Sequence, residues 1–289
     1  MIIVRLDGGI GNQMFQYAFG RELAERHGTE LKLDIGVYSD PAINIPPRTY
    51  DLDIFNIQES FASEAEIVRF AKRTRLDISD RILNKMLGVK KGHIREPHFH
   101  FSNEAYNAPD NVYLSGYWQS EKYFRNVQPQ LRREFTFRDP MSENAKAIYD
   151  QIVRTNSVCV HVRRTDYLTN PLNGLCGVDY YKKAEQLIRQ KTHDPAYFVF
   201  SDDINWCRSN LEFEGDTVFV SHDFGPRKFR DDLRLMSACK DFIISNSSFS
   251  WWAVWLNTNK CKTVIAPYDW FRDKSLDTKD LIPEEWNRI

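Results

Sequence analysis

Ser157-Val158-Cys159-Val160-His161-Val162-Arg163-Arg164-Thr165-Asp166-Tyr167 runs an apolar β-type stretch straight into a histidine, two adjacent arginines and an aspartate. Such an ending is a poor way to build a core. A guanidinium keeps its charge at any ordinary pH, and its planar fork of donors matches phosphate oxygens. Two of them at the carboxyl end of a buried strand predict a diphosphate site. The same grammar recurs downstream. Tyr197 to Phe200 ends in Ser201-Asp202-Asp203, Thr217 to Val220 in Ser221-His222-Asp223, and Asp241 to Ile244 in Ser245-Asn246-Ser247-Ser248. Amphipathic helices follow the strands, and this alternation implies a parallel sheet with right-handed crossovers. All carboxyl ends of such a sheet share one edge, where ligands bind, so the four polar clusters are expected to converge on one crevice.

The amino-terminal stretch reads as strand, glycine turn and helix. Ile2-Ile3-Val4-Arg5-Leu6 leads into Asp7-Gly8-Gly9-Ile10-Gly11-Asn12-Gln13, and the following periodicity puts Phe15, Ala18, Phe19 and Leu23 on one helical face, with Gly28 as the stop. The loop is neither a Walker loop nor a clean G-x-G-x-x-G, and alone it fits a ligand contact or a tight turn equally. Val112-Tyr113-Leu114-Ser115-Gly116-Tyr117-Trp118-Gln119 reads as a strand entering an aromatic cluster. A polar helical connection from Met141 to Arg154 precedes the second half. With 289 residues, two α/β domains are expected, residues 1–155 and 156–289.

Several classes of function fall away on composition. A formal net charge of -1 argues against nucleic-acid binding, which needs a basic excess. Met1 leads directly into the first strand with no signal-peptide pattern, and no stretch approaches the ~18–20 apolar residues of a membrane span. The five cysteines are odd in number and scattered, which suits reduced thiols in a cytoplasmic protein. Phe61 to Lys91 reads as a basic helical stretch, with Arg69, Lys72, Arg73, Arg75, Arg81, Lys85, Lys90 and Lys91. A solvated face and peripheral attachment to the anionic inner face of the cytoplasmic membrane are its two readings. Oligomeric state carries no signature.

The clusters have definite chemical options. Arg163 and Arg164 would neutralise a diphosphate, against the plainer reading of ion pairs with Asp166 or Asp203. His161 could donate to a ligand or orient Arg163. Asn246, Ser247, Ser248 and Ser250 stand where a strand hands over to a helix, whose first N–H groups and dipole favour phosphate; ordinary N-capping is the plainer reading. Asp202, Asp203 and Asp232 are acids that could read a guanine edge or ribose hydroxyls. Magnesium binding by Asp202 and Asp203 lacks a third carboxylate at a set spacing. His98-Phe99-His100 shares one strand face but also lacks a third ligand, so no metal site is expected.

These segments together resemble the bacterial α-1,2-fucosyltransferases of glycosyltransferase family eleven. The resemblance rests on Gly8 to Ala18, Gly116-Tyr117-Trp118-Gln119, His161-x-Arg163-Arg164-x-Asp166-Tyr167, Phe200 to Asp203 and Ser245 to Trp252, in the family's order over nearly the whole chain. It implies an α/β, GT-B-like fold of two Rossmann-like domains facing a central cleft, residues 1–155 on the acceptor side and 156–289 on the GDP-fucose side. It also implies inverting transfer of L-fucose from GDP-β-L-fucose to the 2-hydroxyl of a terminal β-galactose, with no metal or other cofactor. Under this resemblance Arg163 and Arg164 hold the pyrophosphate, Ser247 and Ser248 form the small-residue phosphate loop, and Asp232 reads guanine. Gly9, Asn12 and Gln13 form the glycine loop of the other domain. Thr165 departs from the pattern, since many relatives carry glycine there. His161, Asp166 and Asp7 are the candidate bases. A nucleotide-dependent phosphoryl or sulfuryl transferase, and a non-catalytic carbohydrate-binding module, are the rival readings.

Overall fold

The computed structural model describes residues 1–44, 46–71, 92–170, 172–220 and 229–289. The basic residues Lys72, Arg73, Arg75, Arg81, Lys85, Lys90 and Lys91, and the Ser221-His222-Asp223 cluster, lie outside them. The chain forms two compact units, residues 1–138 with 277–281, and residues 139–276 with 282–289.

The first unit carries β1 (Ile2–Arg5), α1 (Ile10–His27), β2 (Leu31–Asp34), α2 (Glu64–Ala71), β3 (His93–Arg95), α3 (Asn103–Tyr106), β4 (Val112–Ser115) and α4 (Gln128–Glu134). Its four strands are parallel in the order β2-β1-β4-β3. Ile2, Ile3 and Val4 have no exposed surface, because β1 lies inside the sheet. Gly28 ends α1 in the left-handed region (φ 59°), with Arg26 and His27 on the negative end of the dipole. The predicted apolar face of α1 is buried, but so are Gln13, Met14, Gln16, Tyr17, Gly20 and Glu22. The helix is enclosed on more than one side, which its polar residues conceal from a periodicity reading. Their side chains are satisfied internally. Glu22 accepts from Arg26, from the Tyr106 hydroxyl (3.0 Å) and from both the backbone and side-chain nitrogens of Asn126 (3.1 and 2.6 Å).

The second unit carries α5 (Glu143–Arg154), β5 (Asn156–Val162), α6 (Val178–Arg189), β6 (Pro195–Ser201), α7 (Ile204–Asn210), β7 (Thr217–Phe219), α8 (Phe229–Ala238), β8 (Asp241–Ile243), α9 (Ser248–Leu256), β9 (Val264–Ala266) and β10 (Asn287–Arg288). The six strands are all parallel in the order β10-β9-β8-β5-β6-β7. The alternation of β5 follows the sequence reading. Val158, Val160 and Val162 pack with Tyr181, Ala184 and Ile188 of α6, each buried valine contributing about 1.5–3 kcal/mol. Cys159 and His161 face the other way, toward Cys239 and Ser245.

The division between units differs from the expected 155/156 boundary. Helix α5 belongs with the second unit, because Ser142 at its N-cap donates to Asp231 (3.3 Å), and Arg230 and Arg234 of α8 bind Asp139 side chain and carbonyl (2.8 and 2.7 Å). Residues 277–281 return to the first unit, where Asp280 accepts from Lys122 (2.6 Å) and the Phe101 N–H (3.0 Å). Among the described residues no helix is long and apolar enough to cross a membrane. All five cysteines are free, four buried and Cys261 exposed.

Candidate active site

In the second unit the parallel order places the carboxyl ends of β8, β5 and β6 side by side. The Arg163-Arg164 loop, the Asp202-Asp203 loop and the Ser245–Ser248 turn therefore share one edge. Arg163 makes a two-pronged bond to Asp166, Nε and Nη2 each at 2.8 Å, and its Nε lies 3.2 Å from Asp202. Burial opposes its charge, but the Asp166 hydrogen bonds and the Asp202 carboxylate raise its affinity for the proton above the ordinary value. The Arg164 Cζ lies 3.8 Å from the centre of the Trp206 ring, and its Nε is 3.4 Å from Asp203. Asp203 also caps α7 by accepting from the Trp206 N–H (3.1 Å). The ion pairs of the plainer reading are thus real. They hold two half-buried guanidinium groups at the carboxyl edge of the sheet, and a forked arginine over an aromatic ring is suited to phosphate oxygens.

The acids act mainly on this loop. Asp202 accepts the N–H of Arg164 (2.9 Å) and of Thr165 (3.1 Å), so its side chain fixes the loop's path. The Thr165 hydroxyl donates to the same carboxylate, so the departure from glycine adds a bond and removes none. Asp232 is buried in the first turn of α8 at the Cys159 side of the sheet.

Around β8 the expected ligand residues separate. Asn246 is nearly fully buried and spends its amide on the carbonyls of Gly174 (2.9 Å) and Trp270 (2.8 Å). Its side chain ties two loops together. Ser250 is likewise turned inward, its hydroxyl donating to the carbonyls of Ser245 (3.3 Å) and Ser247 (3.1 Å). Both side chains satisfy backbone carbonyls. Ser247 stands at the N-cap of α9 without a side-chain capping bond, so the first N–H groups of the helix have no intrahelical partner. Ser247 and Ser248 keep the place expected of a phosphate turn. Tyr167 fastens this turn to the arginine loop, donating to the Asn246 carbonyl (3.0 Å) beneath Arg163.

His161 is 5 % exposed and its Nδ1 meets the Ser245 hydroxyl at 2.8 Å. Burial, then the Arg163 charge, push its pKa down to about 3. A neutral, enclosed imidazole of that kind braces β5 against the β8 turn and is unsuited to take up a proton. Both Asp166 carboxylate oxygens accept from the Arg163 guanidinium.

The glycine loop lies in the first unit. Gly9 is the N-cap of α1, with open space where a Cβ would stand. Asn12 is half-buried and accepts from Gln119 (2.8 Å). Gln13 is fully buried and bonds the carbonyls of Gly8 (3.1 Å) and Thr49 (2.8 Å) and the Asp51 N–H (2.9 Å). Its side chain builds the loop. The sequence reading missed Gln16 and Glu96. Gln16 accepts the Asp7 N–H (2.9 Å) and donates to the Gly116 carbonyl (3.0 Å), joining the ends of β1 and β4. Gln16 stood inside the quoted motif as an unremarked polar residue on the buried helix. Glu96 had no local signal. His98 and His100 stack at 3.5 Å between ring centroids, and among the described residues no group of three His, Cys, Asp or Glu is placed to hold a metal ion.

The model of "Glycosyl transferase family 11" matches residues 1–289. An alpha-1,2-colitosyltransferase of Escherichia coli is 35% identical, the match covering 100% of this chain and 99% of that protein. The O-antigen biosynthesis glycosyltransferase WbnK of Escherichia coli is 32% identical over 95% of this chain and 97% of its own. Among solved structures, the NodZ alpha-1,6-fucosyltransferase soaked with GDP-fucose superposes with a TM-score of 0.50 at 15% identity, covering 88% of this chain and 92% of that one. The likeness is one of fold, α/β and GT-B-like as expected. The two parallel sheets, the arginine loop beside the start of α9 and the match over the full length give one conclusion: the chain belongs to glycosyl transferase family 11.

Proposed function

We propose that the protein transfers L-fucose from GDP-β-L-fucose to the 2-hydroxyl of a terminal β-galactose, with inversion and without a metal. The observation that carries this reading is the placement of Arg163 and Arg164, just beyond β5, at the same sheet edge as the start of α9 beyond β8. Two cations and a helix N-terminus at one edge suit the charge that grows on a departing diphosphate. Asp202 and Asp203 keep the guanidinium groups oriented before the ligand arrives, which lowers the cost of ordering them on binding. Asp232 remains the candidate reader of guanine, and Gly9 and Asn12 remain the candidate donor contacts of the first unit. With GDP stabilised, carbon one of fucose gains positive character and the galactose hydroxyl attacks from the opposite face.

The 35% identical relative carries the name of a colitosyltransferase, which favours colitose as the second candidate for the transferred sugar. Calorimetric titration with GDP and UDP in EDTA tests the donor class, and incubation of GDP-fucose with β-galactosides, followed by analysis of the product's linkage and anomeric form, tests the reaction. GDP binding with an α-1,2-fucosylated product is the expected result. Binding of UDP in place of GDP, or a retained anomeric form, would overturn the proposal.

A further inference from the structure

The second unit's sheet has an opposite edge, at the amino ends of its strands. There residues 156, 191–193, 240–241 and 259–263 surround a pocket of about 600 Å³. They meet because β5, β8 and β9, which these residues open or precede, are neighbours in the sheet. Asn156 opens β5 and Val162 closes it. At about 3.3 Å per residue, the pocket and the arginine loop stand roughly 20 Å apart.

The lining is basic. Lys191, Lys240, Lys260 and Lys262 bring four ammonium groups against one carboxylate, Asp241. The whole chain carries 39 lysines and arginines against 40 aspartates and glutamates, so this excess of cations is local and not a matter of bulk composition. Asp241 is buried and its oxygens are spent on the frame. Oδ1 accepts the Thr263 N–H (2.6 Å) and Oδ2 the Thr192 hydroxyl (2.7 Å), which ties the loops before β9 and β6 to β8. Neutral acceptors position two of the lysines. Lys240 Nζ donates to the Asn156 side-chain oxygen (3.2 Å), and Lys262 Nζ to the carbonyls of Asn257 (3.3 Å) and Asn259 (3.0 Å). Asn259 joins its loop to the start of β8 by donating to the Lys240 carbonyl (3.3 Å), and its side-chain oxygen holds the Cys261 N–H (3.0 Å). Such bonds orient an ammonium and leave its charge in place. Among the described residues Lys191, Lys240 and Lys260 have no carboxylate partner, in contrast to Lys32, Lys122 and Lys279, which pair with acids at 2.6–2.8 Å.

Like charges gathered around one pocket repel, and a bound anion relieves the repulsion. An ammonium is a compact point charge with three donors and no acceptor, which suits the oxygens of a phosphate. The pocket has the size of a small-molecule site, and four cations are balanced only by a ligand with more than one negative charge. We propose that the amino-edge pocket binds a multivalent phosphate anion, either a free diphosphate or the phosphate of a lipid headgroup. The inference is independent of the donor proposal, because the pocket and the arginine loop occupy opposite edges of one sheet.

Cys261 reports on the pocket, since it lines the pocket between Lys260 and Lys262 and is the exposed one of the five cysteines. The test is the rate at which N-ethylmaleimide, a neutral reagent, alkylates the full chain, with Cys261→Ser as the blank. Inorganic pyrophosphate should slow alkylation saturably at constant ionic strength. Lys240→Gln combined with Lys260→Gln should raise the pyrophosphate concentration needed for half-protection by about tenfold or more, the loss of one or two charge-assisted contacts. A second arm replaces pyrophosphate by vesicles of phosphatidylglycerol or of phosphatidylcholine. Protection by pyrophosphate alone assigns a free anion, and protection by phosphatidylglycerol but not phosphatidylcholine assigns the headgroup. Absence of protection in both arms overturns the proposal, as does equal protection of wild type and the double variant. An equal effect of chloride overturns it too, since that is screening alone. If the double variant does not fold, the wild-type arms decide by themselves.

Discussion

Arg164→Ala and Arg164→Lys test the arginine loop most directly. Arg164 lies 3.8 Å above Trp206 and 3.4 Å from Asp203, with its side chain 15% exposed. The pair with Asp203 is partly open to solvent, so its loss costs about 1 kcal/mol of stability or less. The effect on a departing diphosphate is larger. One or two charge-assisted bonds to phosphate, each about 1.5–3 kcal/mol, together remove roughly 3–4 kcal/mol of transition-state stabilisation. At 1.36 kcal/mol per tenfold, transfer should fall by about 10²–10³ in R164A. R164K keeps the charge but loses the fork and the stacking on Trp206, and should lie between R164A and wild type. Transfer kinetics from a GDP-sugar, GDP calorimetry and thermal melting are measured on the same preparations. Wild-type activity within tenfold in both variants, with melting unchanged, would refute the phosphate role of this loop. A fall in activity that merely tracks a lowered Tm would refute the separation of loop chemistry from stability.

Asp202→Asn should cut transfer by roughly 10–100-fold with little change in Tm, because the Arg164 and Thr165 N–H groups bond different carboxylate oxygens and an amide offers only one acceptor oxygen; equal kinetics in the two proteins would count against a loop-shaping role. Glu22→Ala removes the buried acceptor shared by Arg26, the Tyr106 hydroxyl and Asn126, so a loss of about 1–3 kcal/mol should lower the melting temperature by several degrees. His161 has a folded-state pKa near 3, below an unfolded value of about 6.5. The unfolded chain therefore binds the extra proton between these values, and stability falls as pH drops from about 6.5 toward 3, by on the order of 1.4 kcal/mol per pH unit at most. His161→Gln removes that titration, and urea unfolding at a series of pH values should show a flatter acid limb; an identical limb would exclude His161 as its source.

Much of the second unit was legible from residue order. The β5 alternation, the strand-to-loop transitions after β5, β6 and β8 and the parallel sheet follow from local periodicity and connection rules, and they carry Arg163, Arg164, Asp202 and Asp203 to one edge. Local pattern could not say where individual side chains spend their hydrogen bonds. Asn246 and Gln13 look like ligand residues because amides suit ligands, yet they close loops separated by 24 to 72 positions in the first case and 36 in the second. Helix α5 read as a connection because its partner, α8, lies more than seventy residues downstream.

Sequence alone determined the fold class and the family, since strand periodicity, turn glycines and the arginine and serine runs are contiguous features with their own physics. The tertiary structure decided which polar groups are spent on the fold and which remain for chemistry. Glu96 shows why. Its orientation comes from a turn 21 and 22 residues downstream and its raised pKa from burial, and neither quantity exists until β3 and β4 lie side by side.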